Sequence, residues 1–168
     1  MLVDPTRYDE PPPRPPVLRT FRLEAAATFD RIYDIPIRGG EGTIGIGFEF
    51  SDPLSIDAYL SVFYGAQETG LSALHVRLGT EVMARIGRFR IGGGVTSGIL
   101  SLAVATGGAN NNNTTFGLLA KASLDLAQWG TRRESALFLE AKFDADVVLG
   151  WDATPMMWGP TFGAGLRF

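Results

Sequence analysis

Hydrophobic residues recur at every second position over most of the chain, which is the period of a β-strand. The alternation begins near Thr20 and appears eight times. The eight runs occupy 21–30, 43–50, 56–64, 74–86, 89–96, 116–126, 136–147 and 162–168. No apolar run approaches the roughly 18–20 residues that a transmembrane helix needs. The pattern therefore predicts eight antiparallel strands.

The predicted connections between these runs alternate in length. Short ones fall at 51–53, at 87–88 and around 128–134, and longer ones run over 31–41, 65–72, 97–113 and 148–160. This asymmetry is typical of an up-and-down meander that has tight turns at one end and larger loops at the other.

The two faces of the predicted strands differ sharply in charge. The 41 positions of the apolar face include no charged residue, whereas the 37 positions of the opposite face carry nine acidic and seven basic residues. An Arg or Lys that faces the middle of a bilayer costs roughly 2–4 kcal/mol, so a charge-free face suits contact with lipid. We therefore predict an all-β fold, an eight-stranded antiparallel up-and-down transmembrane β-barrel, with an apolar exterior and a charged interior.

The charged face should fill the interior of this barrel. Eight strands enclose a lumen that is only just wide enough for side chains, so charges of opposite sign should pair there and leave the lumen largely closed. The predicted network of lumen ion pairs consists of Arg22, Glu24, Glu49, Asp57, Arg77, Glu81, Arg85, Arg90, Lys121, Asp125, Glu140, Lys142 and Arg167.

Aromatic residues cluster near both ends of the predicted strands, as expected for belts at the two membrane interfaces. The residues near the short-turn end are Phe21, Phe50, Phe89, Trp129 and Phe168. Those near the long-loop end are Phe29, Tyr64, Phe116 and Trp158.

The C-terminal residues 161–168 resemble the assembly signal of outer-membrane barrels. Thr161, Gly163, Leu166 and Phe168 occupy the polar, glycine, hydrophobic and terminal aromatic positions of that signal. Together with the strand count, residues 19–168 resemble the small OmpA/OmpX-type eight-stranded barrels. The resemblance implies a bacterial outer-membrane protein that the outer-membrane assembly machinery recognises. We expect a monomer in contact with outer-membrane lipid and lipopolysaccharide.

Residues 1–18 form a separate N-terminal segment, which is rich in proline. The run Pro11–Pro16 favours an extended polyproline conformation. An even number of strands places both termini at the short-turn end, which we expect to be periplasmic, so this segment could tether a periplasmic partner. Residues 1–5 lack the basic start and apolar core of a signal peptide. We therefore expect that a leader has been removed from the precursor.

Candidate chemistry is sparse. His75 is the single histidine, and Ser72, Ser97 and Asp146 could approach it as in a lipid-modifying enzyme. We favour an ordinary hydrogen-bonded lumen histidine instead. One histidine without cysteine gives no metal-ligand cluster, and Gly92–Gly94 precedes no helix that could hold a phosphate. We predict no cofactor, and a net charge of −3 gives no electrostatic case for nucleic acid.

The last predicted loop carries large apolar side chains. Trp151, Met156, Met157 and Trp158 could form an exposed tip that binds a partner, or they could pack within the loop. We predict a non-enzymatic outer-membrane barrel with a structural role or a partner-binding role through its surface loops. The first alternative is a narrow pore or a conduit for hydrophobic solutes, and the second is a lipid-modifying enzyme.

Overall fold

The computed structural model describes residues 18–51, 53–68, 70–104, 111–130, 135–150 and 154–168. The strands are β1 (Leu18–Ile32), β2 (Ile35–Ser51), β3 (Leu54–Ala66), β4 (Leu71–Ile86), β5 (Phe89–Val104), β6 (Asn111–Trp129), β7 (Ser135–Leu149) and β8 (Met156–Arg167). Each strand pairs antiparallel with the next, and β8 pairs with β1 to close the barrel. The predicted eight-stranded up-and-down barrel is confirmed. Within the described ranges, no helix is long and apolar enough to cross a membrane.

The strands are longer than the hydrophobic alternation predicted. The clearest difference is the predicted loop 31–41, which is instead a two-residue turn at Tyr33 and Asp34. Tyr33 has a φ of 54°, and positive φ is what tight hairpin turns require of a central residue. Gly39, Gly40 and Gly42 hid the strand, because glycine adds no hydrophobic signal while its backbone still pairs.

The other predicted long loops are also largely strand. β5 continues to Val104, and the asparagines at the start of β6 pair with it, as in Leu100 with Asn113. β8 begins at Met156, inside the predicted loop 148–160. Backbone hydrogen bonds extend these strands where side-chain alternation is weak.

Residues 1–17 and Trp151 lie outside the described residues. Leu18, which composition assigned to the N-terminal segment, is the first residue of β1.

Side chains alternate between the two faces of the barrel as predicted. Val95 on β5 is 55 % exposed on the outer wall, whereas Thr96 beside it is 4 % exposed and faces the lumen. The nine aromatic residues predicted to form the membrane belts all project from the outer wall. The exterior is therefore apolar through the middle of the barrel, as the strand period predicted.

Buried hydrophobic side chains form a cluster inside the barrel at its loop end. We call this cluster the apolar plug, and it consists of Ile32, Ile37, Phe63, Ala73, Leu100, Leu102, Val148 and Met157. Every strand except β6 contributes to it. The sequence predicted a charged lumen and missed the plug, because most of these residues lie in segments that were assigned to loops.

Candidate functional site

A cluster of charged side chains occupies the middle of the lumen. This central cluster consists of Arg22, Glu24, Asp57, Glu81, Lys121 and Glu140. The Lys121 Nζ atom lies 2.8 Å from Glu24 Oε1 and 2.7 Å from Glu140 Oε2. The Arg22 guanidinium contacts Glu24, Glu81 and, at 3.2 Å, Asp57. The cluster links five strands by electrostatic contacts across the lumen.

A second group, the upper cluster, lies between the central cluster and the apolar plug. It consists of Glu41, Arg77, Lys142, Asp144 and Asp146. Arg77 contacts Glu41, and its Nη1 atom lies 3.3 Å from both Asp144 and Asp146. Lys142 also contacts Glu41, and the Thr96 hydroxyl donates to Asp146 at 2.5 Å. All five charged side chains of this cluster are shielded from the surroundings.

Two further ion pairs lie toward the short-turn end. Arg90 Nη2 is 2.6 Å from Glu49 Oε1, and Arg167 Nη2 is 2.8 Å from Asp125 Oδ2. Arg85 was also predicted to belong to the network, but the structure gives it a different role. Its Nε donates to the carbonyl oxygen of Gly87 at 3.2 Å, in the turn between β4 and β5. Arg85 is close enough to the strand end to reach the turn backbone, and no described carboxylate forms a salt bridge with it.

Three acidic residues of the upper cluster were not included in the predicted network. Asp144 and Asp146 lie on the inward face as expected, but Glu41 was assigned to a loop. The signal for Glu41 is a period-two run that continues through Thr43, Gly45 and Gly47 to Glu49. Polar and glycine positions alone carry that run, so hydrophobicity does not reveal it.

Glycines make room for the large side chains that fill the lumen. The Tyr59 ring lies so close to Gly79 that a Cβ there would collide with it, and the Arg22 Cζ atom is 5.6 Å from the centre of the same ring. A Cβ at Gly117 would collide in the same way with Asp146. A cavity of about 20 Å³ near the short-turn end is just large enough for one water molecule.

The structure does not assemble the candidate catalytic group around His75. The His75 ring is buried in the lumen, and its Nε2 atom is 2.8 Å from the Thr115 hydroxyl. Ser72 and Ser97 project from the opposite face of their strands, and Ser72 donates to the Ala103 carbonyl at 3.4 Å. Strand alternation therefore separates the two candidate nucleophiles from the imidazole. Within the described part of the chain, no group of three acidic, histidine or cysteine residues is placed to hold a metal ion.

Three residues of the resembled assembly signal, Thr161, Gly163 and Leu166, lie on β8, and Phe168 follows its last residue. The Thr161 hydroxyl faces the lumen and donates to Thr28 Oγ1 at 3.2 Å, and Gly163 packs closely against Ala26. Leu166 and Phe168 face the outer wall. The backbone of Phe168 exchanges two hydrogen bonds of 2.9 Å with Phe21, which extends the seam between β1 and β8. Recognition by the assembly machinery stays a prediction.

The predicted apolar loop tip is not a loop in the described residues. Met156, Met157 and Trp158 are the first three residues of β8, so their side chains alternate between the two faces. Met157 belongs to the apolar plug, whereas Met156 and Trp158 lie on the outer wall. Continued pairing with β7 imposes this arrangement, because Asp146 pairs with Met157 and Ala145 with Trp158.

No family model and no curated protein sequence matches the chain. Solved structures do match it. Neisserial surface protein A superimposes with a TM-score of 0.58 at 13 % identity, over 89 % of this chain and 95 % of that one. Ail of Yersinia pestis gives a TM-score of 0.60 at 12 % identity, over 89 % and 97 % of the two chains.

The N-terminal barrel domain of Pseudomonas aeruginosa OprF gives a TM-score of 0.52 at 16 % identity, over 91 % of this chain and all of that domain. All three are eight-stranded outer-membrane barrels. The chain has the fold of the small outer-membrane barrels. At this level of identity the likeness concerns the fold alone.

Proposed function

We propose that this chain is a non-enzymatic barrel of the bacterial outer membrane with a closed, ion-paired lumen. Its role is structural, or it binds a partner with its outer surface. The observation that carries this proposal is the filling of the lumen by the apolar plug, the upper cluster and the central cluster in succession. The charge-free middle of the outer wall supports insertion into a bilayer, and the similar structures support the outer membrane in particular.

The alternative of a pore needs a continuous aqueous path, and the side chains oppose one. An ion that entered at the loop end would meet Phe63, Leu100 and Met157, which are buried against one another. Farther in, it would have to separate carboxylates from Arg77 or Lys121, and breaking a buried pair is costly because the partner charge remains desolvated. A lipid-modifying activity is less well supported, since His75 and the two serines lie on opposite faces.

A binding role is compatible with a closed barrel of this fold. Ail, one of the similar proteins, is described as an attachment invasion locus protein and has been solved in complex with the heparin analogue sucrose octasulfate. That barrel binds an anionic ligand. In this chain, the outer wall near the loop end carries two exposed arginines, Arg31 and Arg38.

The closed lumen predicts that the protein gives no steady conductance in planar lipid bilayers. A general porin inserted in the same membrane provides the control for bilayer quality. Replacing both Glu81 and Lys121 by alanine removes two long side chains from the central cluster, and we expect that variant to show brief openings and lower stability. A large, steady conductance from the unmodified protein would contradict the proposal and favour the pore.

The proposed orientation places the loop end outside the cell and both termini in the periplasm. The chain has no cysteine, so a single introduced thiol reports one position. In intact cells, a membrane-impermeant maleimide should label Asp34→Cys, in the turn between β1 and β2. The matched variant Arg88→Cys, in the turn between β4 and β5, should react only after the cells are permeabilised. The reverse pattern would invert the topology and would also exclude a periplasmic partner for residues 1–18.

A further inference from the structure

The outer wall of the described strands carries three charged side chains, and all three are arginines. Arg19 lies near the short-turn end of β1, and Arg31 and Arg38 lie near the loop end of β1 and β2. All are exposed, and none forms a salt bridge with a described carboxylate. Asp34 and Glu68, which belong to turns at the loop end, are not paired with them. The outer wall is therefore uncharged through its middle and positively charged near both ends.

The spacing of these arginines matches the thickness of a membrane. Twelve residues separate Arg19 from Arg31 on β1. A rise of about 3.3 Å per residue and a strand tilt of about 45° convert this separation to roughly 28 Å along the membrane normal, close to the ≈25 Å apolar band of outer-membrane barrels. Arg31 and Arg38 therefore lie at the level of the lipid headgroups on the loop side, where a charge costs little.

Arg31 and Arg38 are also close to each other. Arg38 pairs with Phe29 across the β1–β2 ladder, and Arg31 pairs with Pro36, which makes the two arginines diagonal neighbours on one face. Diagonal neighbours in a sheet are separated by about 7–8 Å at Cα, within reach of a single anionic group for two such long side chains.

Aromatic side chains lie beside Arg31, and Phe29 is the cross-strand partner of Arg38. The Arg31 Cζ atom lies 5.7 Å from the centre of the Trp158 ring, which in turn lies 6.1 Å from the Phe143 ring. Stacking on an aromatic face restricts the guanidinium and leaves its N–H groups at the edge free to donate. Phe29 and the apolar wall continue below the arginines toward the short-turn end. A ligand here needs an anionic head with hydrocarbon beneath it.

We propose that Arg31 and Arg38 form a binding site for the phosphate groups of a phosphorylated glycolipid in the outer leaflet. Guanidinium groups bind phosphate with two parallel hydrogen bonds, and the acyl chains of such a lipid would lie against the neutral wall. The inference rests on the proposed orientation, because the loop end must face the outer leaflet. It deepens the proposed surface role by naming the class of ligand and the residues that hold it.

The test uses the full chain refolded into nanodiscs of phosphatidylcholine, a lipid without net charge. Binding of bisphosphorylated lipid A and of chemically dephosphorylated lipid A is measured by native mass spectrometry. We expect the phosphorylated lipid to bind well and the dephosphorylated lipid to bind weakly. The double variant Arg31→Gln/Arg38→Gln should lose about tenfold or more in affinity, since it lacks two charged donors to phosphate. Arg19→Gln, at the opposite end of the same wall, should bind as the unmodified protein does.

Replacing both residues by lysine keeps the charge but removes the paired donors, so Arg31→Lys/Arg38→Lys should give intermediate affinity. This variant also keeps the test decisive if the glutamine variant does not fold. Equal binding by the unmodified protein and the folded variants, or equal binding of both lipids, would overturn the proposal. If either of these results is found and Asp34→Cys is labelled from outside the cell, the orientation of the barrel is supported and only the proposed lipid site is overturned. Labelling only after permeabilisation would overturn the orientation and the site with it.

Discussion

Replacing Arg77 by methionine should destabilise the folded barrel by about 3–5 kcal/mol, the usual cost of removing one partner from a buried charge cluster. Arg77 is 2 % exposed and contacts three carboxylates, those of Glu41, Asp144 and Asp146. Lys142 can still pair with Glu41, but the two aspartates lose the cation that lies between them. Urea-induced unfolding in lipid vesicles, followed by tryptophan fluorescence, measures the loss.

Arg85→Met is the matched control for this change. Both arginines lie on the inward face of β4, but the Arg85 guanidinium bonds to a turn carbonyl and takes part in neither charge cluster. We expect it to cost about 1 kcal/mol, as for one ordinary hydrogen bond. Adding Asp144→Asn to the Arg77→Met variant should recover part of the lost stability, because one uncompensated charge is removed. Equal losses for Arg77→Met and Arg85→Met would show that the upper cluster is not a stabilising unit.

Replacing Val95 by arginine should destabilise the inserted barrel by roughly 2–4 kcal/mol, because a charge on the lipid-facing wall near the membrane midplane must be desolvated. Val95 lies in the middle of β5 and is exposed on the outer wall. The same measurement of unfolding in vesicles applies, with the fraction of inserted protein determined before denaturant is added.

The control for Val95→Arg is Ala103→Arg, eight residues farther along the same face of β5 and near its loop end. At that level the charge reaches the headgroups, so the cost should fall to about 0–1 kcal/mol. A comparison on one strand keeps local β-propensity similar and isolates depth in the membrane. If both substitutions cost the same, the outer wall does not face hydrocarbon where we place it.

The sequence predicted those features of the candidate site that depend on the period of the strands. Alternation alone assigned Arg22, Arg77, Lys121 and Glu140 to the lumen, and the structure brings each of them into an ion pair. Arg85 satisfies the same alternation but bonds to the turn instead. The two-residue period of a strand predicts the face on which a side chain lies, but it does not predict which side chains it meets across the barrel.

Glycine-rich and polar stretches limited what the sequence could show about the loop end. Hydrophobic contrast disappears between Gly39 and Gly42 and again at Asn111–Asn113, although both stretches pair in the sheet. The backbone hydrogen bonds that hold them depend on a neighbouring strand, which is a property of the closed barrel. Glu41 and most of the apolar plug were therefore visible only in the structure.

The sequence by itself determined the number of strands, the barrel and the charge-free middle of the outer wall, because each follows from a period of two and from the cost of charge in hydrocarbon. The tertiary structure decided which charges meet. Lys121 pairs with Glu24 across 97 residues of chain, and Lys142 contacts Glu41 across 101. Such contacts depend on the stagger between strands when the barrel closes. Stagger is set jointly by all eight strand pairs and is not encoded in any one of them.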